Sequence, residues 1–267
     1  MLALECTFVM AITPDPRENL LLAALPDSVL KRWLPQLEPV YLPLGKVIFG
    51  PHSILNHVYF PTTSMVALLY VTDDGGSTEV AIVGLEGLVG ISVIFDAESS
   101  TRSAIVQSAG HAFRIRTQAI TDEFERNGPV MHLLMRYAQA LIAQMAQTAV
   151  CNRHHSLDQQ LCCWLLRSLD RLQGFDLVMT QELIANMLGV RREGVTEGAL
   201  KLQKARLIRY ARGHITVLDR PGLEKRTCEC YEVVKNEYDR LLSMPPAMAL
   251  LPKKATRPAA TQQPLRG

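Results

Sequence analysis

Residues 179–218 read MTQELIANMLGVRREGVTEGALKLQKARLIRYARGHITVL, and the order of signals leaves this stretch few ways to fold. Thr180 is placed to cap a helix, its hydroxyl three residues before Leu183 and acidic Glu182 in the first turn. Leu183, Ile184, Met187 and Leu188 make one apolar face, and Gly189 stands where a left-handed residue ends a helix at least cost. Beyond that turn Val195, Ala199 and Leu202 recur at helical spacing and point inward, while Arg191, Arg192, Glu193, Thr196 and Lys201 face out. Arg212-Gly213 then joins two short strands, 208–211 and 214–218, as a two-residue hairpin. The spacing predicts a helix-turn-helix with a β wing. Its second helix, with long polar side chains near the N-terminus, suits a DNA major groove. The plainer alternative is an amphipathic helix pair that only caps a core. The wing, the basic outer face and the order of elements weigh against it.

Charge distribution supports this reading more than total charge does. The chain carries +2 overall, yet residues 1–127 sum to −6 and residues 180–222 to +4. A basic module joined to an acidic one is the expected layout of a phosphate-binding domain on a separate regulatory domain.

A length of 267 residues suggests two domains, and 48% hydrophobic residues can bury real cores. No run passes for a membrane span: the uncharged stretch at 137–152 is too short and contains Gln139, Gln144 and Gln147. The N-terminus is apolar but carries Glu5 and lacks a basic leader, which makes a poor signal peptide. The six cysteines stand at irregular spacings, as expected of reduced thiols in a cytoplasmic protein.

The organisation along the chain follows from changes of period. Residues 1–18 read as a loosely specified leader. Residues 19–34 have helical spacing broken by Pro26. From 40 to 116 the pattern changes to short apolar runs at 40–42, 47–49, 57–60, 65–71, 79–83, 104–107 and 112–115. Turn signals separate them, among them Pro43-Leu44-Gly45, Asp73-Asp74-Gly75-Gly76 and Ala109-Gly110. Such runs predict an antiparallel β-barrel or jelly roll, giving an α+β fold class for the whole chain. A short helix at 117–127, a long one near 130–151 and an amphipathic one at 156–172 lead into the reader. Pro, Ala and Gln dominate 245–267, and a disordered basic tail is expected there. The domains expected are thus 19–128, a helix at 129–152, and 153–240.

On the long helix Leu134, Tyr137 or Ala138, Leu141, Met145 and Thr148 form a stripe with spacings of three and four. Periodicity alone serves equally for packing against the barrel or for a dimer seam. Because a helix-turn-helix usually reads a two-fold operator as a dimer, the stripe is assigned to a homodimer interface.

A small barrel, a long helix and a C-terminal winged helix-turn-helix, in that order, resemble the Crp/Fnr family of bacterial transcription regulators. The likeness spans about residues 19–240. Its most specific part is TQELIANMLGVRREGVTEGALKLQKARLIRYARGHITVLDRPGLE, with the Arg-Gly wing and the Leu-Asp-Arg-Pro-Gly-Leu-Glu exit. The resemblance implies a cyclic-nucleotide-binding-type barrel and a dimerising long helix. The family's usual base-reading pattern is Arg-Glu-x-x-x-Arg. Arg192 and Glu193 match its first two positions, with Arg suited to guanine O6/N7 and Glu to cytosine N4. Glu197 holds the third position in place of Arg, so the operator should differ from the family's best-known one. Candidate base readers are therefore Arg192, Glu193, Thr196 and Glu197. Candidate phosphate contacts are Thr180, Arg191, Lys201, Arg209 and Arg212. Partners implied are double-stranded DNA and a second copy of the chain, with RNA polymerase a further candidate and no membrane.

Cyclic-nucleotide binders of this family carry a Gly-Glu pair whose carboxylate grips the ribose, then Arg-Ser or Arg-Thr before the next strand. Here Val89-Gly90-Ile91 stands where that pair belongs, and Arg102-Ser103 precedes the strand at 104–107. Gly90, Arg102 and Ser103 are the candidate effector pocket. Ile91 cannot hydrogen-bond a ribose, and Glu86 has the wrong spacing, so cyclic AMP is not expected and the effector is left unnamed. Arg102 serves equally as an anion site or a surface arginine.

Other chemistries have weaker support. An iron–sulfur cluster would need about four cysteines, largely near the N-terminus, where only Cys6 lies. Cys151 with His154 and His155 gives a C-x-x-H-H group, followed by Cys162-Cys163, while Cys228-x-Cys230 is short for a metal motif. Buried structural cysteines and a solvated His pair are expected instead, with no metal and no cofactor assigned. No Gly-rich phosphate loop, G-x-S-x-G or H-E-x-x-H is present, so no enzyme is expected. The remaining alternatives are a dimeric interaction module that does not bind DNA, or a ligand-binding protein with a decayed reader.

Overall fold

The computed structural model describes residues 14–73, 76–95, 102–172 and 176–242. Most of the expected leader, Cys6, Asp74-Gly75 of the turn at 73–76 and the tail at 245–267 lie outside the described residues.

Two short helices, α1 (Leu20–Ala23) and α2 (Asp27–Trp33), part at Pro26 as their sequence foretells. Buried Asn19 caps α1 by accepting from the Leu21 and Leu22 amides, and its own amide group donates to the carbonyls of Pro61 and Gly87. One polar side chain thereby pins the entry helix to the β domain.

All seven expected strands form: β1 (Glu38–Leu42), β2 (Val47–Phe49), β3 (His57–Pro61), β4 (Met65–Val71), β5 (Ser77–Val83), β6 (Arg102–Ser108) and β7 (Gly110–Arg116). They pair antiparallel in two open sheets, β1-β7-β3 and β2-β6-β4-β5, so the architecture is a jelly roll and not a closed barrel. Val58, Phe60, Phe113 and Ile115 from one sheet meet Val66, Leu68, Val83 and Val106 from the other in a first core.

Strand β4 opens with the apolar run MVALL because both of its faces are covered there, before Tyr70 and Val71 emerge into solvent. Val66 and Leu68 point into the first core. Met65, Ala67 and Leu69, with Ile82 of β5, point the other way into a second core built with the C-terminal domain. Each large side chain fully buried there contributes about 1.5–3 kcal/mol. The reader domain is therefore docked on the outer face of the four-stranded sheet.

After α3 (Thr117–Glu125) and the long α4 (Pro129–His154), Ser156 opens α5 (Leu157–Arg171) with a capping box to Gln159. The C-terminal domain continues as β8 (Asp176–Val178), α6 (Gln181–Leu188), α7 (Arg192–Lys204), β9 (Ile208–Ala211), β10 (His214–Val217), α8 (Arg220–Arg226) and α9 (Cys230–Leu242). Helix α9 packs along α4 and joins both cores, with Val234 and Tyr238 in the first and Cys230 and Tyr231 in the second.

The stripe assigned to a dimer seam is internal packing. Leu134, Tyr137 and Leu141 are 2%, 0% and 2% exposed within the single chain, in the first core, and Met145 packs on its edge. The Tyr137 hydroxyl donates to the Leu88 carbonyl, and Thr148 bonds to Gln144 and Arg167. The spacing named a buried face correctly but could not say what buries it. A second stripe, Met135, Gln139, Ile142, Ala146 and Ala149, faces outward at spacings of four and three. Among the described residues no helix is long and apolar enough to cross a membrane.

Candidate nucleic-acid interface

Thr180 caps α6 as expected, its hydroxyl accepting from the Leu183 amide at 3.2 Å. Ile184, Ala185, Met187 and Leu188 are buried, and Gly189 turns the chain at φ +65°. In α7, Val195, Gly198, Ala199 and Leu202 face inward. A Cβ at Gly194 would lie 2.7 Å from Leu157 Cδ2, so this glycine is what lets α5 approach α7 closely. Arg192, Glu193, Glu197, Leu200, Lys201 and Lys204 of α7 are left to solvent.

The wing is a two-residue hairpin. Arg212 and Gly213 have φ of +51° and +80°, the pair of left-handed residues that matches the twist of the flanking strands. His214 pairs with Ala211, and β8 adds a third strand on the other side of β10.

Thr180, Arg191, Arg192, Glu193, Glu197, Lys201, Arg209 and Arg212 are all exposed. A groove of about 290 Å³ is lined by Thr180, Gln181, Arg192, Tyr210, Arg212 and Gly213. One expected base reader and two expected phosphate contacts thus share a concavity between the two helix starts and the wing. Thr196 is different: its hydroxyl lies 2.7 Å from Gln181 Oε1 and 3.0 Å from the Arg192 carbonyl, half-buried between α6 and its own helix. Glu197 pairs with Lys201 at 2.9 Å one turn along. The hydrogen bond and charge of Lys201 hold the Glu197 carboxyl below the usual carboxylate range, and Glu197 in turn holds the ammonium above its own. The pair is fully solvated, so salt screens it.

Tyr210 was not foreseen. Its hydroxyl donates to the Met179 carbonyl at 2.8 Å, its amide donates to Gln203, and burial pushes its phenol up against the opposing effect of Arg192. An aromatic on the alternate, helix-facing position of a wing strand was the available signal.

Of the candidate effector residues, Gly90 lies in a turn beside β3, whereas Arg102 and Ser103 lie on β6 of the other sheet. Gly90, at φ +102°, lies against Val58 of β3, where Tyr59 and Val89 exchange backbone hydrogen bonds. Ile91 is buried in the first core. Arg102 and Ser103 begin β6, with the Arg102 guanidinium 3.7 Å from Met145 Sδ on α4. Glu86 points instead to Arg171 of α5.

The five described cysteines are buried free thiols, and burial pushes Cys162 up to about 12. His154 is exposed as expected. His155 is not: only 13% of its side chain is exposed, and its ring lies beside Cys230.

Residues 159–226 match the Crp-like helix-turn-helix domain. Among solved structures, FixK2 from Bradyrhizobium japonicum superposes with a TM-score of 0.63 at 14% identity, covering 72% of this chain and 98% of that one. A putative Crp/Fnr-family regulator from Eubacterium rectale gives 0.61 at 18% identity over 79% of this chain and 97% of its own. A Crp/Fnr-family regulator from Thermus thermophilus, TTHA1359, gives 0.54 at 20% identity over 73% and 98%. The curated proteins yield no match. At these identities the superpositions speak for the fold, and the matched domain speaks for the DNA reader. The chain thus carries a Crp-like helix-turn-helix domain at residues 159–226 and shares its fold with these Crp/Fnr-family structures.

Proposed function

We propose that the protein regulates transcription as a homodimer that reads an inverted repeat, with α7 in the major groove and the β9–β10 wing on the phosphate backbone. The observation that carries this reading is the groove where Thr180, Arg192 and Arg212 converge. Arg192 suits a guanine edge and Glu193 a cytosine amino group, while Thr180, Arg191, Arg209 and Arg212 suit phosphates. Thr196 positions the start of α7 through Gln181, and Lys201 meets a phosphate only by sharing Glu197. The dimer forms through the outward stripe of α4, where Met135 and Ile142 are 45% and 56% exposed. It acts in the cytoplasm with duplex DNA and RNA polymerase as partners, and no catalytic turnover is assigned. Its signal is not cyclic AMP, because Ile91 stands in the core where a ribose-gripping carboxylate would be needed.

Selection from a randomised duplex library followed by footprinting tests the proposal. The expected result is an inverted repeat with half-site centres about 34 Å apart, unchanged by added cyclic AMP. Binding without base preference, or to a single unrepeated half-site, would overturn it.

A further inference from the structure

We propose that Cys151, His155, Cys228 and Cys230 form a closed zinc site that clamps the end of α4 to the junction of α8 and α9. By sequence alone Cys151 pairs with both histidines as C-x-x-H-H, and Cys228-x-Cys230 is short for a metal motif. In the fold the useful spacing is Cys151-x-x-x-His155, one helical turn, which puts both side chains on the same face. Cys151 lies in the last turn of α4 and His155 caps it, its amide bonded to the Cys151 carbonyl. Cys228 and Cys230 bracket the start of α9.

Three thiols and one imidazole from these two distant segments bring their donor atoms within 4.8 Å of one another. Cys151 Sγ lies 3.6 Å from Cys228 Sγ, and Cys230 Sγ lies 3.4 Å from His155 Nδ1. A tetrahedral zinc with bonds of about 2.3 Å to sulfur and about 2.0–2.1 Å to nitrogen separates its donors by roughly 3.5–3.8 Å. These two pairs, at 3.6 and 3.4 Å, lie close to that separation.

The surroundings fit a metal better than they fit four packed apolar groups. His155 turns Nδ1 to the sulfurs and places Nε2 3.3 Å from Glu229 Oε1. A carboxylate on the far nitrogen is the usual partner of a metal-bound histidine, because it fixes the tautomer and strengthens the ligand. Gln147 Nε2 donates to Cys230 Sγ at 3.1 Å, and the Cys230 amide donates to Cys228, both bonds suited to thiolates. Gln160 braces the turn by donating to the carbonyls of Cys151 and His155. A borderline-soft set of three sulfurs and one nitrogen selects zinc over magnesium or calcium, and four protein ligands leave no open position. Binding Zn²⁺ displaces three thiol protons and involves no redox step. Cys163, hydrogen-bonded to Cys151 and Cys228, is left outside the set.

The test uses the full chain purified under reducing conditions without chelator. Elemental analysis should find one zinc per chain, and cobalt substitution should give sulfur-to-cobalt charge-transfer absorption with tetrahedral d–d bands. In chelator competition His155→Ala and Cys228→Ser should weaken zinc binding at least about 100-fold, and Glu229→Gln about 10–100-fold. Cys163→Ser should leave affinity and cobalt spectrum unchanged. Wild-type protein that holds no zinc and gives no charge-transfer band would overturn the site without relying on any variant. So would a Cys151–Cys228 disulfide in protein isolated from cells. Loss of the cobalt spectrum in Cys163→Ser but not in His155→Ala would overturn the ligand set.

Discussion

Arg171 Nε lies 2.7 Å from Glu86 Oε1, a buried ion pair between the last turn of α5 and the loop that follows β5. The same guanidinium donates to the carbonyls of Ile82 and Arg167 and to Gln144 Oε1, and it sits 5.5 Å from the ring centre of Tyr238. One side chain thereby touches the β domain, the long helix, the reader domain and α9. Gly84 makes room for it, since a Cβ there would lie 2.5 Å from Arg171 Cβ. Burial works against the charge on Arg171, yet Glu86 and Tyr238 hold its pKa above the ordinary value.

Replacing both members of a buried pair can be neutral, whereas removing one strands the other. Arg171→Met should therefore cost about 3–5 kcal/mol in urea unfolding, and adding Glu86→Gln should recover a large part of it. A single-mutant loss below about 1 kcal/mol would mean that the two domains are held together by apolar contact alone.

Glu79 supplies a pH dependence at the same domain junction. It is buried on β5, hydrogen-bonded by Gln107 at 3.0 Å and faced by Arg167, Arg171 and Trp164, and burial pushes its carboxyl from 4.5 up to about 7. The folded chain holds the proton that the unfolded chain releases above 4.5. Stability from this group is thus fully present below pH 4.5 and is lost as pH rises to about 7. The loss is on the order of 3 kcal/mol. Chemical denaturation between pH 4.5 and 8 should show the slope in wild type and not in Glu79→Gln. Equal slopes would put the titration elsewhere.

Much of this was legible in the sequence, and the failures have common causes. The wing could be read because Arg212-Gly213 needs two left-handed residues, and Gly189 marked the helix end for the same local reason. Each of the seven strands announced itself by a short apolar run between turns. What local pattern cannot carry is the identity of the covering partner. The Leu134–Leu141 stripe looks the same whether β strands or a second helix bury it. Continuous burial of β4 on both faces hinted at a second covering layer. Helix α9 escaped because its pattern follows Cys-x-Cys and serves two cores at once. The approach of Cys151 to Cys228, 77 residues apart, depends on that helix and has no local signature.

The outward stripe of α4 gives a test that separates dimerisation from folding. Met135→Glu with Ile142→Glu places charges on an already exposed face, so sedimentation should show folded monomers. Leu141→Glu instead buries an unpaired carboxylate and should unfold the first core. A double variant that remained dimeric would show that the copies meet through another surface.

The last prediction concerns how the reader divides its labour. Arg192 lies in the first turn of α7, the end proposed to enter the groove, whereas Arg212 lies on the wing turn and lines the same concavity. Arg192→Ala should cost about 1–3 kcal/mol on the best operator and relax the preference at one base pair in each half-site. Arg212→Ala should weaken binding to all sequences alike and flatten the salt dependence, because it removes one phosphate contact and its released counterion. Glu197→Arg would supply the third position of the Crp/Fnr pattern that the chain resembles. It should add a donor and also free Lys201 from its pairing, so affinity for any duplex should rise and the salt slope steepen. Competition binding on a randomised library at two salt concentrations separates these effects. If Arg192→Ala left base preference untouched while Arg212→Ala changed it, the roles of helix and wing would be reversed.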